Sequence, residues 1–496
     1  MKRPAPIHFG PPSAMSARHR RHRGYVGGSK KDLTTGPILP RLVGFCLPLI
    51  LSGMLQLLYN AADMAVLGQF ATDTAVGAVG SCASLINLLV NTFIGLATGA
   101  SVCVAQFVGA KRDRDVSEVV HTAFSISLLL GVFVGLFGYL FTPTALSFVV
   151  DSTLTGTMAE ATRYMRAYMI GVPGVMVYNY CAAALRAKGD SIRPLIFLGI
   201  SGFANVLLNF WTVIGLGMGA QGVGIATAVS QYLAAGMTVI YMAFFVKDSC
   251  HLSLRRLVIK WDKVLLMLKI GIPASLQGVL FSFSNVLIQS SIQSFGLEAL
   301  VNGNAAAGNV DAFVYTAQNA AYQGAITFVG QHVGARKYKR INRVVWSCVG
   351  LTIVAGIVSG ALALFFGESL LGFFVSEPDA ISYGMLRMKI LVTTYFLCGV
   401  MEVGCGALRG MGKTVLPMVV SLAGACAFRV LWILTIFRFM MDRPEIYSET
   451  QRIICLFLSY PTSWILTLVA HFICFGVVKR RMERADALLP PVTEQE

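Results

Sequence analysis

Charged side chains are scarce in this chain. Only 13% of its 496 residues are Asp, Glu, Lys or Arg, too few to cover the about three soluble domains that such a length would otherwise suggest. Cysteine pairs are missing as well. The eleven cysteines stand singly, nearly all inside apolar runs and never as CxxC, so they read as small packing residues and not as disulfides or metal ligands. The histidines His121, His251, His332 and His471 are equally isolated, with no nucleophile-and-base or metal-ligand spacing, which argues against a membrane-embedded transferase or other enzyme. Segments of about 10 alternating residues are absent too, which excludes a transmembrane barrel. The first 36 residues carry the basic run Arg18-His19-Arg20-Arg21-His22-Arg23 with no apolar core directly behind it. A cleavable signal peptide is therefore not expected, and the segment reads as a basic tail near anionic lipid.

What fills the chain is hydrophobic sequence, 55% of all residues, with a mean hydropathy of +0.68. Runs of roughly 20 apolar residues, the length that crosses a bilayer as a helix, recur twelve times, near 40–67, 77–108, 118–142, 160–183, 195–214, 222–246, 264–294, 300–334, 342–366, 380–405, 415–437 and 453–478. Only helices and closed barrels satisfy their backbone in lipid. The expected fold is thus an all-α integral membrane protein.

The two halves repeat each other. Gln106, Val108, Gly109, Ala110 and Lys111 recur as Gln331, Val333, Gly334, Ala335 and Arg336, and the same offset of 225 carries Pro48 to Pro273, Asn60 to Asn285 and Phe70 to Phe295. Ala184, Leu185, Arg186, Gly189 and Pro194 return 223 residues later as Ala407, Leu408, Arg409, Gly412 and Pro417. Six spans separate equivalent points, and an even number returns the chain to the same side, so the repeats are parallel. Parallel six-helix repeats predict two lobes around a central cavity that opens alternately to either side.

Basic residues sort by loop. Lys111, Arg112 and Arg114 follow span 2, Arg186, Lys188 and Arg193 follow span 4, and Lys247, Arg255, Arg256, Lys260 and Lys263 follow span 6. The loops near 68–75, 143–159, 215–221, 295–299 and 367–379 hold no Lys or Arg, whereas 438–452 carries Arg438, Arg443 and Arg452 diluted by acids. By the positive-inside rule both termini are cytoplasmic in the inner (plasma) membrane. The net charge of +16 is thereby placed by topology and gives no reason to expect nucleic acid. The expected divisions are a basic tail 1–36, an N-terminal lobe 37–246, a cytoplasmic inter-lobe loop 247–263 that leaves the lobes free to move, a C-terminal lobe 264–478 and a tail 479–496.

Three groups of residues carry a family resemblance over nearly the whole chain. They are Tyr59-Asn60-Ala61-Ala62-Asp63 in span 1, the Gln-x-x-Gly-Ala plus basic signature after spans 2 and 8, and the Ala-Leu-Arg-x-x-Gly turn before Pro194 and Pro417. With Asn205 and Asn209 in span 5 and Gly222-Val223-Gly224-Ile225-Ala226-Thr227 in span 6, the chain resembles the multidrug and toxic compound extrusion (MATE) family, closest to its bacterial DinF-type branch. The resemblance implies export of bulky, often cationic organic compounds against inward flow of Na⁺ or H⁺. No cofactor is implied, the partners are small organic cations and membrane lipids, and a monomer is expected to function.

Asp63 is the first candidate for coupling. An intramembrane carboxylate costs about 2.5–3.5 kcal/mol at the centre of a span on insertion scales, and the resemblance places a coupling Asp here. It also implies a cluster with an Asn and an Asp four residues apart on span 5 and a Thr on span 6. These positions read Asn205, Asn209 and Thr227, with Asn179 of span 4 as a further neighbour. Asn209 departs from the usual Asp, and an amide exchanges no proton, so Asp63 would titrate alone. This favours H⁺ over Na⁺. The competing role for these amides is polar glue between helices. In the C-terminal half, Asp311 lies among Asn302, Asn304, Asn309 and Gln318 and could attract cations, while Glu402 either couples or pairs with Arg409. Arg166 and Lys389 are expected to snorkel, and Arg429 needs a partner that the sequence does not name. A flippase for a lipid-linked sugar is the alternative. Its anionic head group would want basic residues facing the cavity, whereas the clear intramembrane charges include Asp63, Asp311 and Glu402.

Overall fold

The computed structural model describes residues 33–148, 155–255 and 257–488. Most of the basic N-terminal tail and the end of the C-terminal one lie outside the described residues. Twelve long helices follow one another among the described residues: α1 Ile38–Phe70, α2 Asp73–Gly109, α3 Asp113–Leu146, α4 Thr155–Lys188, α5 Ile192–Gly215, α6 Gly219–Phe245, α7 Trp261–Gln293, α8 Glu298–Gly334, α9 Tyr338–Phe365, α10 Pro378–Gly410, α11 Val415–Met441 and α12 Glu449–Ala487. Each apolar run became one helix, longer than the run because polar ends continue the coil. α12, for example, carries Lys479, Arg480, Arg481 and Arg484 past the apolar stretch without a break.

Eleven of these helices are apolar enough to cross a membrane on composition alone, and α8 is the twelfth. Its 37 residues include Asn302, Asn304, Asn309, Asp311, Gln318 and Gln323. Asn302 and Asn309 stay exposed, but much of the helix is covered by protein, since it packs on α1, α2, α9 and α10. That is where polar side chains are tolerated in a membrane.

The repeat is written into the backbone. Lys111 and Arg336 both turn at φ 55°, and Gly189 and Gly412 both take positive φ, at 103° and 75°. At the glycine pair a Cβ would be strained, which explains why Gly recurs there.

Packing does not divide the halves cleanly. The first turns of α1 place Leu42, Phe45 and Cys46 in one apolar cluster with Ala320, Phe328, Val345 and Leu408 of the second half. Phe45 meets Phe328 edge-on at 5.7 Å, and the Cys46 thiol donates to the Ala320 carbonyl at 3.4 Å. Beyond Pro48 the same helix joins the first half, with Val66 and Leu67 in the cluster of α2, α3 and α4. α7 does the converse: Met267 and Ile270 sit in the first-half cluster, while Ile288 and Ile292 past Pro273 belong to the second. The matched prolines thus stand where α1 and α7 pass between halves. Small residues permit the approach, since a Cβ on Gly99 would lie 2.2 Å from the Met267 carbonyl oxygen and one on Gly95 2.5 Å from Ser275 Cα.

The stretch after α6 is anchored to the first half. Ser253 N–H donates to His121 Nε2 at 2.9 Å, Lys260 N–H to Thr122 Oγ1 at 3.2 Å and Leu252 N–H to the Met242 carbonyl at 3.1 Å. Cys250 and Leu252 are buried beneath it, and burial pushes the Cys250 thiol up to about 11. Lys188 pairs with Asp248, and Lys263 donates to Asp115 at 2.5 Å. Burying two apolar side chains obliges the adjoining backbone donors to find partners, and α3 and α6 supply them.

Candidate functional site

The first polar cluster is assembled by α1 and α5. One turn before Asp63, Tyr59 lies in a notch at Gly202, where a Cβ would fall 1.7 Å from its ring, and its hydroxyl donates to the Leu198 and Gly199 carbonyls at 3.2 and 3.3 Å. This pins α1 against α5. Asp63 Oδ1 then accepts from Asn209 Nδ2 at 2.5 Å, and the same amide reaches Asn205 Oδ1 at 3.4 Å. Asn209 is fully buried and Asn205 is 4% exposed, so one face of α5 presents both to the carboxylate.

Directly after Asn209 the helix widens into a π turn over Phe210–Gly215. Such turns recur at functional sites because they free backbone and side-chain groups from the regular ladder. Two buried oxygens are left without a partner, Asn209 Oδ1 and Thr227 Oγ1. Buried polar atoms normally have partners, so Asn209 Oδ1 gives this cluster spare acceptor capacity, as Thr227 Oγ1 does on α6. Asn179 is engaged elsewhere, donating to the Val175 carbonyl of its own helix at 2.8 Å. The structure therefore joins Asp63, Asn205 and Asn209 directly. Thr227 adds an unpartnered hydroxyl on α6. Tyr59 stands in the sequence only as part of the span 1 motif and Gly202 not at all, although glycine three residues after Gly199 on an otherwise bulky helix was a visible signal.

The second cluster lies on α8 and α10. Asp311 is 3% exposed and forms an ion pair with Arg387, Nη2 to Oδ2 2.7 Å. Arg387 Nη1 also donates to the Asn304 carbonyl at 2.6 Å, beside the open flank of Gly308. Nothing in the sequence separates Arg387 from its neighbour Lys389, which is exposed. The pair changes the reading of Asp311: its charge is balanced within the protein.

Glu402 and Arg409 are not an ion pair within 4 Å among the described residues. Arg409 instead donates to the Tyr322 hydroxyl and to Gln277 Oε1, the latter at 2.8 Å. Gln277 continues to Ser421 Oγ at 3.2 Å, and that hydroxyl lies 3.3 Å from His471 Nε2. His471, fully buried, places Nδ1 3.1 Å from the carbonyl of Met401, the residue beside Glu402. Arg429 finds its partners on α12: Nε donates to Ser463 Oγ at 2.9 Å, and the guanidinium lies 4.4 Å from the Tyr460 ring centre.

A duplicated bundle of membrane-length helices, with charges buried where the helices meet, is the architecture of a membrane transporter. The chain belongs to the MatE family, whose profile matches residues 48–211 and again 273–435, so the two matched stretches coincide with the two repeats. It is similar to the probable multidrug resistance protein YoeA of Bacillus subtilis, 27% identical over 390 residues that cover 76% of this chain and 82% of that one. The probable multidrug resistance protein NorM of Thermotoga maritima is 25% identical over 390 residues, covering 77% of this chain and 82% of that protein. Among solved structures, a multidrug resistance MATE family transporter of the MOP superfamily in an outward-facing conformation superposes with a TM-score of 0.82. It covers 92% of this chain and 99% of its own at 16% identity, a likeness of fold. Members of this family are transporters and not enzymes.

Proposed function

We propose that the protein is a secondary active multidrug exporter that exchanges small organic, mainly cationic compounds for H⁺ across the plasma membrane by alternating access, with both termini cytoplasmic and a single chain as the working unit. The observation that carries this reading is Asp63, an intramembrane carboxylate held by one amide, beside a π turn and with no second carboxylate in its cluster. The names of the relatives agree with export of drugs. Two lobes, 37–246 and 264–478, move about the interface where α1 and α2 meet α7 and α8, with 247–263 as the connection anchored to the first lobe.

Cargo is met by the exposed amides Asn87, Asn91, Asn285, Asn302 and Asn309 on α2, α7 and α8. Exposed amides within spans are costly against lipid and acceptable against water, which favours a hydrated cleft between the halves. A lipid-linked sugar is less suited to it. Arg387, Arg409 and Arg429, three basic groups within the spans of the second half, are engaged by Asp311, Tyr322 with Gln277, and Ser463.

In the exchange, a proton on Asp63 removes the charge that Asn209 Nδ2 stabilises, and its release restores it. The carboxylate thus reports which side is open. The two orphaned oxygens, Asn209 Oδ1 and Thr227 Oγ1, favour a second reading in which Na⁺ is the coupling ion, because a sodium site needs several oxygen ligands. Efflux of a fluorescent cation from proteoliposomes separates the two. A pH gradient alone is expected to drive it and Asp63→Asn to abolish it, while uphill efflux on a sodium gradient at equal pH and clamped potential would replace H⁺ by Na⁺.

A further inference from the structure

The Gln-x-x-Gly-Ala signature with its following basic residue occurs twice, and the two copies face each other across the interface between halves. A Cβ on Gly109 would lie 2.0 Å from the Gln331 carbonyl oxygen, and one on Gly334 1.9 Å from the Gln106 carbonyl oxygen. Each glycine is therefore the seat for the backbone of the other copy's glutamine. The side chains then cross over. Gln106 Nε2 on α2 donates to the Gly410 carbonyl at the end of α10, at 2.8 Å, and Gln331 Nε2 on α8 donates to the Ala187 carbonyl near the end of α4, also at 2.8 Å. Ala187 and Gly410 are equivalent under the offset of 223 that relates the Ala-Leu-Arg turns. Both bonds cap carbonyls at helix ends, which lack partners within their own helix.

We propose that Gln106 and Gln331 are positioning residues for transport: together they form a two-fold latch that ties α2 to α10 and α8 to α4 and holds the basic-loop end of the interface shut. Every link in the latch joins one half to the other, so none of it is needed to hold either half together. Both bonds must break for that end to open, and both acceptors return on closing. Because the two bonds are equivalent by the repeat, the latch pulls evenly on both lobes. The helix ends that accept the bonds carry the Arg186 and Arg409 turns, whose glycines Gly189 and Gly412 set the direction of the following chain. Gln331 is 1% exposed, so its amide gains no water when the bond to Ala187 is lost while the interface remains closed. This makes the shut state two-valued rather than graded.

The inference rests on the alternating-access reading, and the test separates the two. In intact cells, with the part-exposed Cys426 and Cys474 replaced by Ser, a maleimide labels a reporter in the exposed face of α8 (Asn309→Cys) or, in separate molecules, a reporter buried at the basic-loop interface (Ala105→Cys). An ordinary hydrogen bond corresponds to about a fivefold change in an equilibrium. Gln106→Ala and Gln331→Ala are each expected to lower the Asn309→Cys to Ala105→Cys labelling ratio about fivefold, and together more than either alone. A ratio unchanged in both variants overturns the latch. A second arm needs neither variant: the Gly330 Cβ position lies 2.9 Å from Ala105 Cβ, so Ala105→Cys with Gly330→Cys can be oxidised to a disulfide across the interface. Cross-linking is expected to stop efflux of a fluorescent cation and reductant to restore it. Undiminished efflux from the cross-linked protein overturns alternating access itself. Arrest by the cross-link, with labelling ratios unmoved by the glutamine variants, overturns the latch alone.

Discussion

Removing Arg387 tests how the second polar cluster is balanced. Its guanidinium lies 2.7 Å from Asp311, and the two side chains are 11% and 4% exposed. At that separation, with an effective dielectric constant of about 20, the attraction is roughly 6 kcal/mol, most of it offset by the desolvation of both ions. Arg387→Met leaves Asp311 buried without a counter-charge and is expected to cost about 3–5 kcal/mol. Asp311→Leu strands Arg387 in the same way, although its second bond to the Asn304 carbonyl softens the loss. The double variant removes both charges and should lie within about 2 kcal/mol of the parent. Unfolding in detergent followed by tryptophan fluorescence gives the cycle, and a coupling below about 0.5 kcal/mol would refute a balanced pair. Cargo supplies a second readout. With Arg387→Met, the unbalanced carboxylate should raise affinity for an organic cation relative to a neutral analogue of the same shape, and an unchanged preference would remove Asp311 from the cargo path.

Two further outcomes follow from the loops. His121→Leu deletes the acceptor of the Ser253 N–H, so hydrogen exchange at 248–258 should quicken about fivefold while the helices keep their protection; exchange at the parental rate would mean that the connection is held by its buried Cys250 and Leu252 alone. In the absence of permeabilisation, an impermeant maleimide should label Glu377→Cys, on an exposed lysine-free loop, and spare Lys339→Cys; the reverse pattern would invert the topology.

The helices were legible because membrane spans announce themselves by length and hydropathy, and the duplication because it fixes landmarks such as Gly189 and Gly412 by backbone geometry. α8 was legible as one of the apolar runs, although its amides dilute the signal below that of the other eleven helices. The Asp63, Asn205 and Asn209 association was readable from spacing four on one helix together with the family pattern. Arg387 was not. A charge inside a span has meaning only with its partner, and the partner Asp311 lies two helices away in sequence. Arg409 shows the complementary difficulty: Glu402 seven residues earlier looked like its mate, but Tyr322 and Gln277 from other helices reach the guanidinium first. Nor could hydropathy reveal that residues 246–255 and 257–260 are anchored, because the bonds that hold them run from backbone amides to side chains on α3 and to the end of α6.

The passage of α1 between halves has a consequence for biogenesis. The N-terminal end of this helix, at Leu42, Phe45 and Cys46, packs on Ala320, Phe328 and Val345, some 280 residues downstream. During synthesis it enters the bilayer long before those residues exist. The first helix inserted is thus among the last to be fully covered, and until α8 and α9 arrive its Phe45 face is solvated by lipid, the one surrounding in which a bare apolar helix can wait without aggregating.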